Sequence, residues 1–160
     1  MTSLYGLDPL TRALYPQNPR KGVIALMYHG TPKSAVPGMS RYAVTAGQFA
    51  AHLDFLNSAG WTTARVADLA KPELLPDRTV LITLDDGHLD NYEGAFLPLE
   101  KRGMRATWYI VSGKVGRHAD WIGAAGPGTA LMSARQLRDI AAAGMEIGAH
   151  GVSHAPLDQL

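Results

Sequence analysis

The sequence predicts an α/β fold in which parallel strands are flanked by helices. Three times along the chain a helical pattern ends at a glycine and a strand pattern follows directly, at Gly60, Gly103 and Gly144. This order is typical of βα units joined by right-handed crossovers. The apolar run Val80-Leu81-Ile82 indicates a strand buried on both faces, as parallel strands usually are. We therefore expect functional groups at the C-terminal edge of the sheet.

The first half of the chain is predicted to contain one helix between two strands. An apolar run over residues 23–28 predicts the first strand, and its continuity predicts that this strand is buried. Thr45 with Gln48 three residues later fits a capping box, and Gly60 ends the helix that begins there. Residues 62–66 then predict a short second strand.

The second half repeats this order. Residues 90–102 have an amphipathic pattern that Pro98 interrupts. Either the helix kinks there or its regular part begins near Leu97, because proline is accommodated only in a first helical turn. The β-branched and aromatic residues at 106–111 predict the next strand. A second capping box and the last strand follow, formed by Ser133, Gln136 and residues 145–149.

Composition narrows the class of protein. Apolar residues make up 46% of the chain and charged residues 18%, which is typical of a globular protein. No apolar run approaches the roughly 18 residues of a membrane span. A net charge of +1 without a basic block argues against a nucleic-acid partner. The absence of cysteine excludes disulfides and thiolate metal sites.

Residues 1–21 are predicted to be an irregular lead-in, and residues 22–160 to be the folded domain. The lead-in contains turn formers and little periodicity. It also lacks the basic-then-apolar pattern of a signal peptide. A cytoplasmic location is expected for the chain as written, and an extracytoplasmic one if a leader was removed.

Acidic residues and histidines are found where two predicted strands end. Asp85 and Asp86 close the central apolar run, and His150 and His154 follow the last strand with H-x3-H spacing. Two imidazoles and one carboxylate form a familiar three-ligand metal site that leaves a position for water. Zinc suits these ligands, with cobalt and nickel as alternatives. Each motif alone also has a structural interpretation, as an Asx-type turn with Gly87 at positive φ or as a pair of solvated histidines.

These side chains together predict a hydrolytic site. With Asp86, His150 and His154 as metal ligands, the pKa of metal-bound water falls from about 15.7 toward about 7. Asp85 is then placed to take the proton of this water as it attacks a carbonyl carbon. The same metal would stabilise the oxyanion, so that no covalent intermediate is needed.

Four segments carry a recognisable pattern: Leu26-Met27-Tyr28-His29, Thr83-Leu84-Asp85-Asp86-Gly87, Ala106-Thr107-Trp108-Tyr109, and residues 144–150 with His154. In order and spacing they closely resemble the polysaccharide deacetylases of the NodB-like carbohydrate esterase family, over about residues 22–157. The resemblance implies that Asp85 is the general base and that Asp86, His150 and His154 hold a metal. It also implies an N-acetylated carbohydrate as substrate.

Three further residues are candidates for substrate binding. His29 leaves the first strand at the same edge of the sheet, His88 follows Gly87, and Trp121 lies in a Gly-rich loop over residues 112–129. Each has a structural alternative. A histidine at a strand exit is often a hydrogen-bonded structural residue, and a tryptophan in a long loop often anchors that loop to the core.

Two positions depart from the family pattern. Leu84 replaces the usual phenylalanine, which is a conservative change in the core. Gly151 replaces the usual serine or threonine. The hydrogen bond that holds the segment from His150 to His154, here called the histidine loop, must therefore come from elsewhere, with Ser153 as a candidate.

The resemblance is to the front part of the family domain and implies an incomplete (β/α) barrel. The chain offers about five of the roughly seven or eight strands of the family barrel. The later motifs, including the histidine that protonates the leaving amine, would lie beyond Leu160. Two hypotheses follow: a metal-dependent deacetylase, or a noncatalytic metal- or carbohydrate-binding fragment. An unpaired sheet edge predicts either self-association or a missing C-terminal half.

Overall fold

The computed structural model describes residues 22–35, 41–122 and 130–156. The predicted lead-in over residues 1–21 lies outside these ranges. Within them, the strands and α-helices follow in the order β1 (Gly22–Tyr28), α1 (Ala46–Ser58), β2 (Thr62–Ala64), β3 (Arg78–Leu84), α2 (Leu97–Lys101), β4 (Thr107–Ile110), α3 (Ala134–Ala142) and β5 (Glu146–Ala149). No helix in the described ranges is long and apolar enough to cross a bilayer.

All strand pairs of the sheet are parallel. The order is β1-β3-β4-β5, and β2 pairs with the first part of β3. At the end of β3, Leu84 lies opposite Tyr28 of β1 and Trp108 of β4. The C-terminal ends therefore meet at one edge, as predicted. In the described residues the sheet does not close, because β1 pairs with β3 alone and β5 with β4 alone. The expected α/β fold and its incomplete barrel are confirmed.

Strand β3 lies at the centre of the core. Val80, Ile82 and Leu84 are 0% exposed, and they belong to one apolar cluster with Phe49 of α1 and Trp108 of β4. Full burial of an aliphatic side chain of this size stabilises a fold by about 1.5–3 kcal/mol. This confirms the prediction of a fully buried central strand, which fixes the direction in which Asp85 and Asp86 leave the sheet.

The prediction that the first strand is buried was wrong. In β1, Val23 is 38% exposed, Ile24 42% and Met27 66%. Because β1 is an edge strand, only Leu26 and Tyr28 pack against the core, and they do so in part. A continuous apolar run indicates a strand, but it does not reveal whether both faces of that strand are covered.

Both predicted capping boxes are present. The amide of Gln48 donates to Thr45 Oγ1 at 3.3 Å, and the amide of Thr45 donates to Gln48 Oε1 at 2.9 Å. Ser133 and Gln136 make the same pair of hydrogen bonds at 3.4 and 2.9 Å. Each box satisfies amide groups that have no partner within the helix, so α1 and α3 begin where the sequence indicates.

The predicted helix over residues 90–102 is divided into two parts. A wide π-helical turn spans Tyr92–Phe96, and α2 begins at Leu97 with Pro98 in its first turn. The second of the two alternatives for Pro98 is therefore confirmed. A Cβ atom at Gly94 would collide with the carbonyl oxygen of Thr31, so only glycine lets this turn pack against the chain that leaves β1.

Candidate active site and metal centre

The two adjacent carboxylates leave β3 through a tight turn. The Asp85 amide donates to the carbonyl of Tyr28 at 2.9 Å, which extends the sheet contact by one residue. The chain then turns with φ of +71° at Asp86 and +85° at Gly87. A positive φ is uncommon for a residue other than glycine, and such conformations cluster at functional sites. The turn gives the neighbouring carboxylates different environments.

Asp86, His150 and His154 converge on one point. Asp86 Oδ1 lies 3.3 Å from His150 Nε2 and 3.1 Å from His154 Nε2. Although buried, this oxygen accepts no hydrogen bond of acceptable geometry from the described residues. Two ligands at about 2.0–2.1 Å from a tetrahedral ion stand about 3.3 Å apart. The spacing and the unpartnered oxygen thus fit a divalent cation, and the three ligand atoms all lie within 4.8 Å of one another.

Asp86 is suited to be an anionic ligand. It is 4% exposed. Burial by itself would raise the pKa of its carboxyl, but the hydrogen bond and charge of His88, with the charge of His154, hold this pKa below its usual range. The carboxylate therefore stays ionised, which is the form that binds a metal.

Asp85 has a different environment. It is 9% exposed, and its Oδ1 atom has no hydrogen-bond partner among the described residues. Burial raises the pKa of this carboxyl above its usual range, although the charges of His29 and His150 oppose the shift. A raised pKa and an unused acceptor are the properties expected of a general base.

The histidine loop is supported by the segment that follows β4. The amide of Ser112 donates to Gly151 O at 3.0 Å, and the amide of Gly113 donates to Val152 O at 3.0 Å. The Ser112 hydroxyl also donates to Gly151 O at 3.2 Å. Ser153, the candidate named from the sequence, is exposed, and the support comes from Ser112 and Gly113 instead.

The backbone of this loop also explains the unusual glycine. Gly151 has φ of +74° and His154 has φ of +63°. A serine or threonine at position 151 would be strained at such an angle. The carbonyl of Ile110 accepts from the amide of His150 at 2.8 Å, so this histidine continues the register of β5 against β4.

A cleft of about 370 Å³ opens beside the three converging side chains. Its walls are formed by His29, Tyr42, Asp86, His88, Trp121, Ile122 and His154. The structure therefore brings the predicted substrate-binding residues to the same cleft as two of the predicted metal ligands, Asp86 and His154. A wider groove of about 510 Å³ lies beside Thr31 and Tyr92 and contains none of the predicted site residues.

The three substrate-binding candidates differ in how they face this cleft. His29 packs against the ring of Tyr42, with ring centroids 5.7 Å apart. Trp121 stacks on His154 and is partly exposed. His88 borders the cleft but is 1% exposed, and its Nε2 atom lies 3.2 Å from Asp86 Oδ2. The structure thus places His88 behind a predicted ligand rather than on the open groove.

Sequence reasoning missed two residues that shape the site. The carbonyl of Tyr42 accepts from the amide of Gly30 at 3.1 Å, which brings Tyr42 to the cleft. Asn91 is 0% exposed and donates from Nδ2 to the carbonyl of His29 at 2.7 Å. An aromatic residue in a long loop could have indicated Tyr42, whereas nothing local distinguishes Asn91.

Comparisons with known proteins agree with this architecture. The family model described as polysaccharide deacetylase matches residues 73–160. A protein of Bacillus subtilis (strain 168), named "Putative polysaccharide deacetylase YxkH", is 27% identical over 139 residues, which are 84% of this chain and 44% of that protein.

Two solved structures are similar in fold. IcaB from Ammonifex degensii has 32% sequence identity and a TM-score of 0.67, over 81% of this chain and 53% of that one. The Streptococcus pyogenes deacetylase PplD, solved with acetate, has 24% identity and a TM-score of 0.68, over 86% and 60% of the two chains. The second likeness shows a common fold only. The chain spans about half the length of these relatives.

Proposed function

The chain belongs to the polysaccharide deacetylase family, and on this premise we propose that it is a metal-dependent hydrolase that removes acetyl groups from N-acetylated sugars or polysaccharides. The observation that carries the proposal is the approach of two imidazole nitrogens to Asp86 Oδ1, a buried oxygen that accepts no hydrogen bond from the described residues. We assign residues 22–160 to the front part of the catalytic domain and residues 1–21 to a lead-in.

The proposed metal ligands are Asp86, His150 and His154. Zinc suits two imidazoles and a carboxylate, and cobalt or nickel have similar ligand preferences. When bound, such an ion would supply Lewis-acid chemistry, polarising the acetamide carbonyl and lowering the pKa of water. Ionised Asp86 would balance part of the positive charge of the ion. The hydrogen bonds from Ser112 and Gly113 to the histidine loop would hold the two imidazoles in place.

Asp85 is the proposed general base. As water attacks the acetamide carbon, the carboxylate of Asp85 would take its proton, and a positioned base of this kind typically contributes 10²- to 10⁴-fold to a rate. The Oδ1 atom, which has no hydrogen-bond partner in the part of the chain that the structure describes, is available to accept that proton. In the metal-free chain, burial raises the pKa of Asp85, which favours the uptake of a proton by its carboxylate.

The cleft is the proposed substrate site. Trp121 and Tyr42 would offer apolar ring faces to a sugar, and His29 would offer a ring nitrogen for a hydrogen bond. A mostly apolar cleft with a few polar groups is the usual form of a small-ligand site. His88, being buried, is assigned no contact with the substrate.

A noncatalytic metal- or carbohydrate-binding role is the second candidate. One observation favours it: the sheet of the described residues is open. The leaving amine also needs a proton, and none of the assigned residues is given that role. Metal binding without turnover would distinguish this candidate from the enzyme.

The test is a parallel measurement of metal and of acetate. The purified chain and the Asp86→Ala variant are dialysed against zinc, their metal content is measured by plasma emission, and acetate release from an N-acetylated chitooligosaccharide is followed. We expect about one zinc per chain, lost in Asp86→Ala, and acetate release that a chelator abolishes. Equal zinc in both proteins would refute the ligand assignment, and zinc without acetate would favour the noncatalytic role.

A further inference from the structure

His88 is placed to orient the carboxylate of Asp86. Its Nε2 atom lies 3.2 Å from Asp86 Oδ2, while the other oxygen of that carboxylate faces His150 and His154. The two oxygens are thus divided between two sets of partners. His88 is 1% exposed, so water does not compete for the contact.

A buried carboxylate has a rotational freedom that matters for metal binding. Turning the carboxylate of Asp86 about its Cβ–Cγ bond would move Oδ1 away from the two imidazoles. A hydrogen bond to Oδ2 fixes the plane of the group and so directs Oδ1 toward them. Partners of this kind orient the ligands of many metal sites.

The backbone fixes His88 in turn. The carbonyl of His88 accepts from the amide of Asn91 at 3.1 Å. A short antiparallel bridge pairs His88 with Leu131, and the carbonyl of Gly87 accepts from the amide of Met132 at 2.9 Å. The imidazole is therefore attached to a segment held from two sides, so it constrains Asp86 instead of following its movement.

We propose that His88 is a positioning residue that holds Asp86 for metal binding, in place of the substrate contact expected from the sequence. The inference rests on the proposed function, because it takes Asp86 to be a metal ligand. The alternative is that His88 is a structural residue that only fills space in the core. In that case zinc affinity depends on the shape of the His88 side chain and not on its hydrogen bond to Asp86.

Three substitutions separate these alternatives. In His88→Phe a ring of similar shape lacks the nitrogen. In His88→Gln the amide nitrogen reaches about as far as Nε2, and in His88→Asn the amide stops short of it. The matched control is His52→Gln, because His52 is an exposed histidine of α1 that contacts Tyr28.

The readout is zinc affinity, measured by competition with a chromophoric chelator, with thermal unfolding in a chelator as the check of folding. We expect His88→Phe and His88→Asn to bind zinc about 10- to 100-fold more weakly, the range typical of such partners. His88→Gln and His52→Gln should stay within about threefold of the unsubstituted chain.

The outcomes distinguish this inference from the proposed function. An unsubstituted chain that does not bind zinc refutes the proposed function itself. A chain that binds zinc equally well with phenylalanine at position 88, or equally weakly with glutamine and asparagine there, refutes the role of His88 alone. If His88→Phe does not fold, the comparison of His88→Gln with His88→Asn still decides the question.

Discussion

The ring of Trp121 lies flat against the ring of His154, with centroids 4.2 Å apart and planes 10° from parallel. One face of a proposed metal ligand is therefore covered by an aromatic side chain. Trp121 was predicted from the sequence either to bind substrate or to anchor its loop. Stacking on His154 while lining the cleft is compatible with both.

Replacing Trp121 should weaken metal binding as well as substrate binding. Stacked aromatic pairs contribute about 0.5–1.5 kcal/mol beyond buried area, so we expect Trp121→Ala to weaken zinc binding roughly two- to tenfold. Trp121→Phe keeps a ring on His154 and should lie close to the unsubstituted chain. Chelator competition measures the effect, and unchanged zinc affinity in Trp121→Ala would show that the stack does not support His154.

Removing the carboxylate of Asp85 should slow turnover strongly and leave the metal in place. We expect Asp85→Asn to lower kcat by about 10²- to 10⁴-fold at unchanged zinc content. A kcat within tenfold of that of the unsubstituted chain, at unchanged zinc content, would contradict this role.

The raised pKa of Asp85 has a consequence for the stability of the metal-free chain. The pKa of Asp85 is higher in the folded state than in the unfolded state, so at a pH between these two pKa values the folded state binds more protons. The free energy of unfolding therefore falls as the pH rises from the unfolded-state pKa through the folded-state pKa. In a chelator at neutral pH, Asp85→Asn should therefore unfold at a higher temperature than the unsubstituted chain. A lower unfolding temperature would show that ionised Asp85 is stabilised by its surroundings.

A small side chain at position 113 should disturb the histidine loop. A Cβ atom at Gly113 would lie 2.5 Å from the carbonyl oxygen of Val152, so Gly113→Ala must displace that loop. We expect a loss of zinc affinity of at least tenfold. Gly47→Ala is the matched control, because a Cβ atom there meets nothing within 4 Å and alanine favours a helix by up to about 1 kcal/mol. Equal zinc affinity in both variants would contradict the supporting role of residues 112–113.

Strand β1 has one unpaired edge among the described strands, and this predicts concentration-dependent association of the chain. Exposed apolar edge strands pair readily with other chains, and a lysine on the edge prevents this. We therefore expect light scattering to show oligomers that Met27→Lys reduces. Leu74→Lys is a suitable control, since Leu74 is 72% exposed and lies outside the strands. A stable monomer at all concentrations would contradict the prediction.

The features that the sequence predicted correctly are local ones. The capping boxes at Thr45 and Ser133 involve residues three apart, and an apolar run such as that before Asp85 shows where a strand ends. Because parallel strands end at one edge, the meeting of Asp86 with His150 followed from the fold class.

What escaped prediction depends on contacts between distant segments. The turn between Asp86 and His88 includes a positive φ at Asp86, which no pattern revealed, and the contact of the His88 ring with Asp86 was not predicted. The support of the histidine loop joins Ser112 to Gly151 across two strands. The exposure of β1 depends on which segments pack beside it, and the apolar composition of the strand does not indicate those segments.

The position of the proposed ligands along the chain has one more consequence. Asp86 follows β3 and His150 follows β5, so a shared ion would join two points roughly 60 residues apart, as a covalent cross-link does. Closing a loop of that length removes conformational entropy from the unfolded chain and stabilises the folded one. The ion would thus bind β5, which pairs with β4 alone among the described strands, to the centre of the sheet.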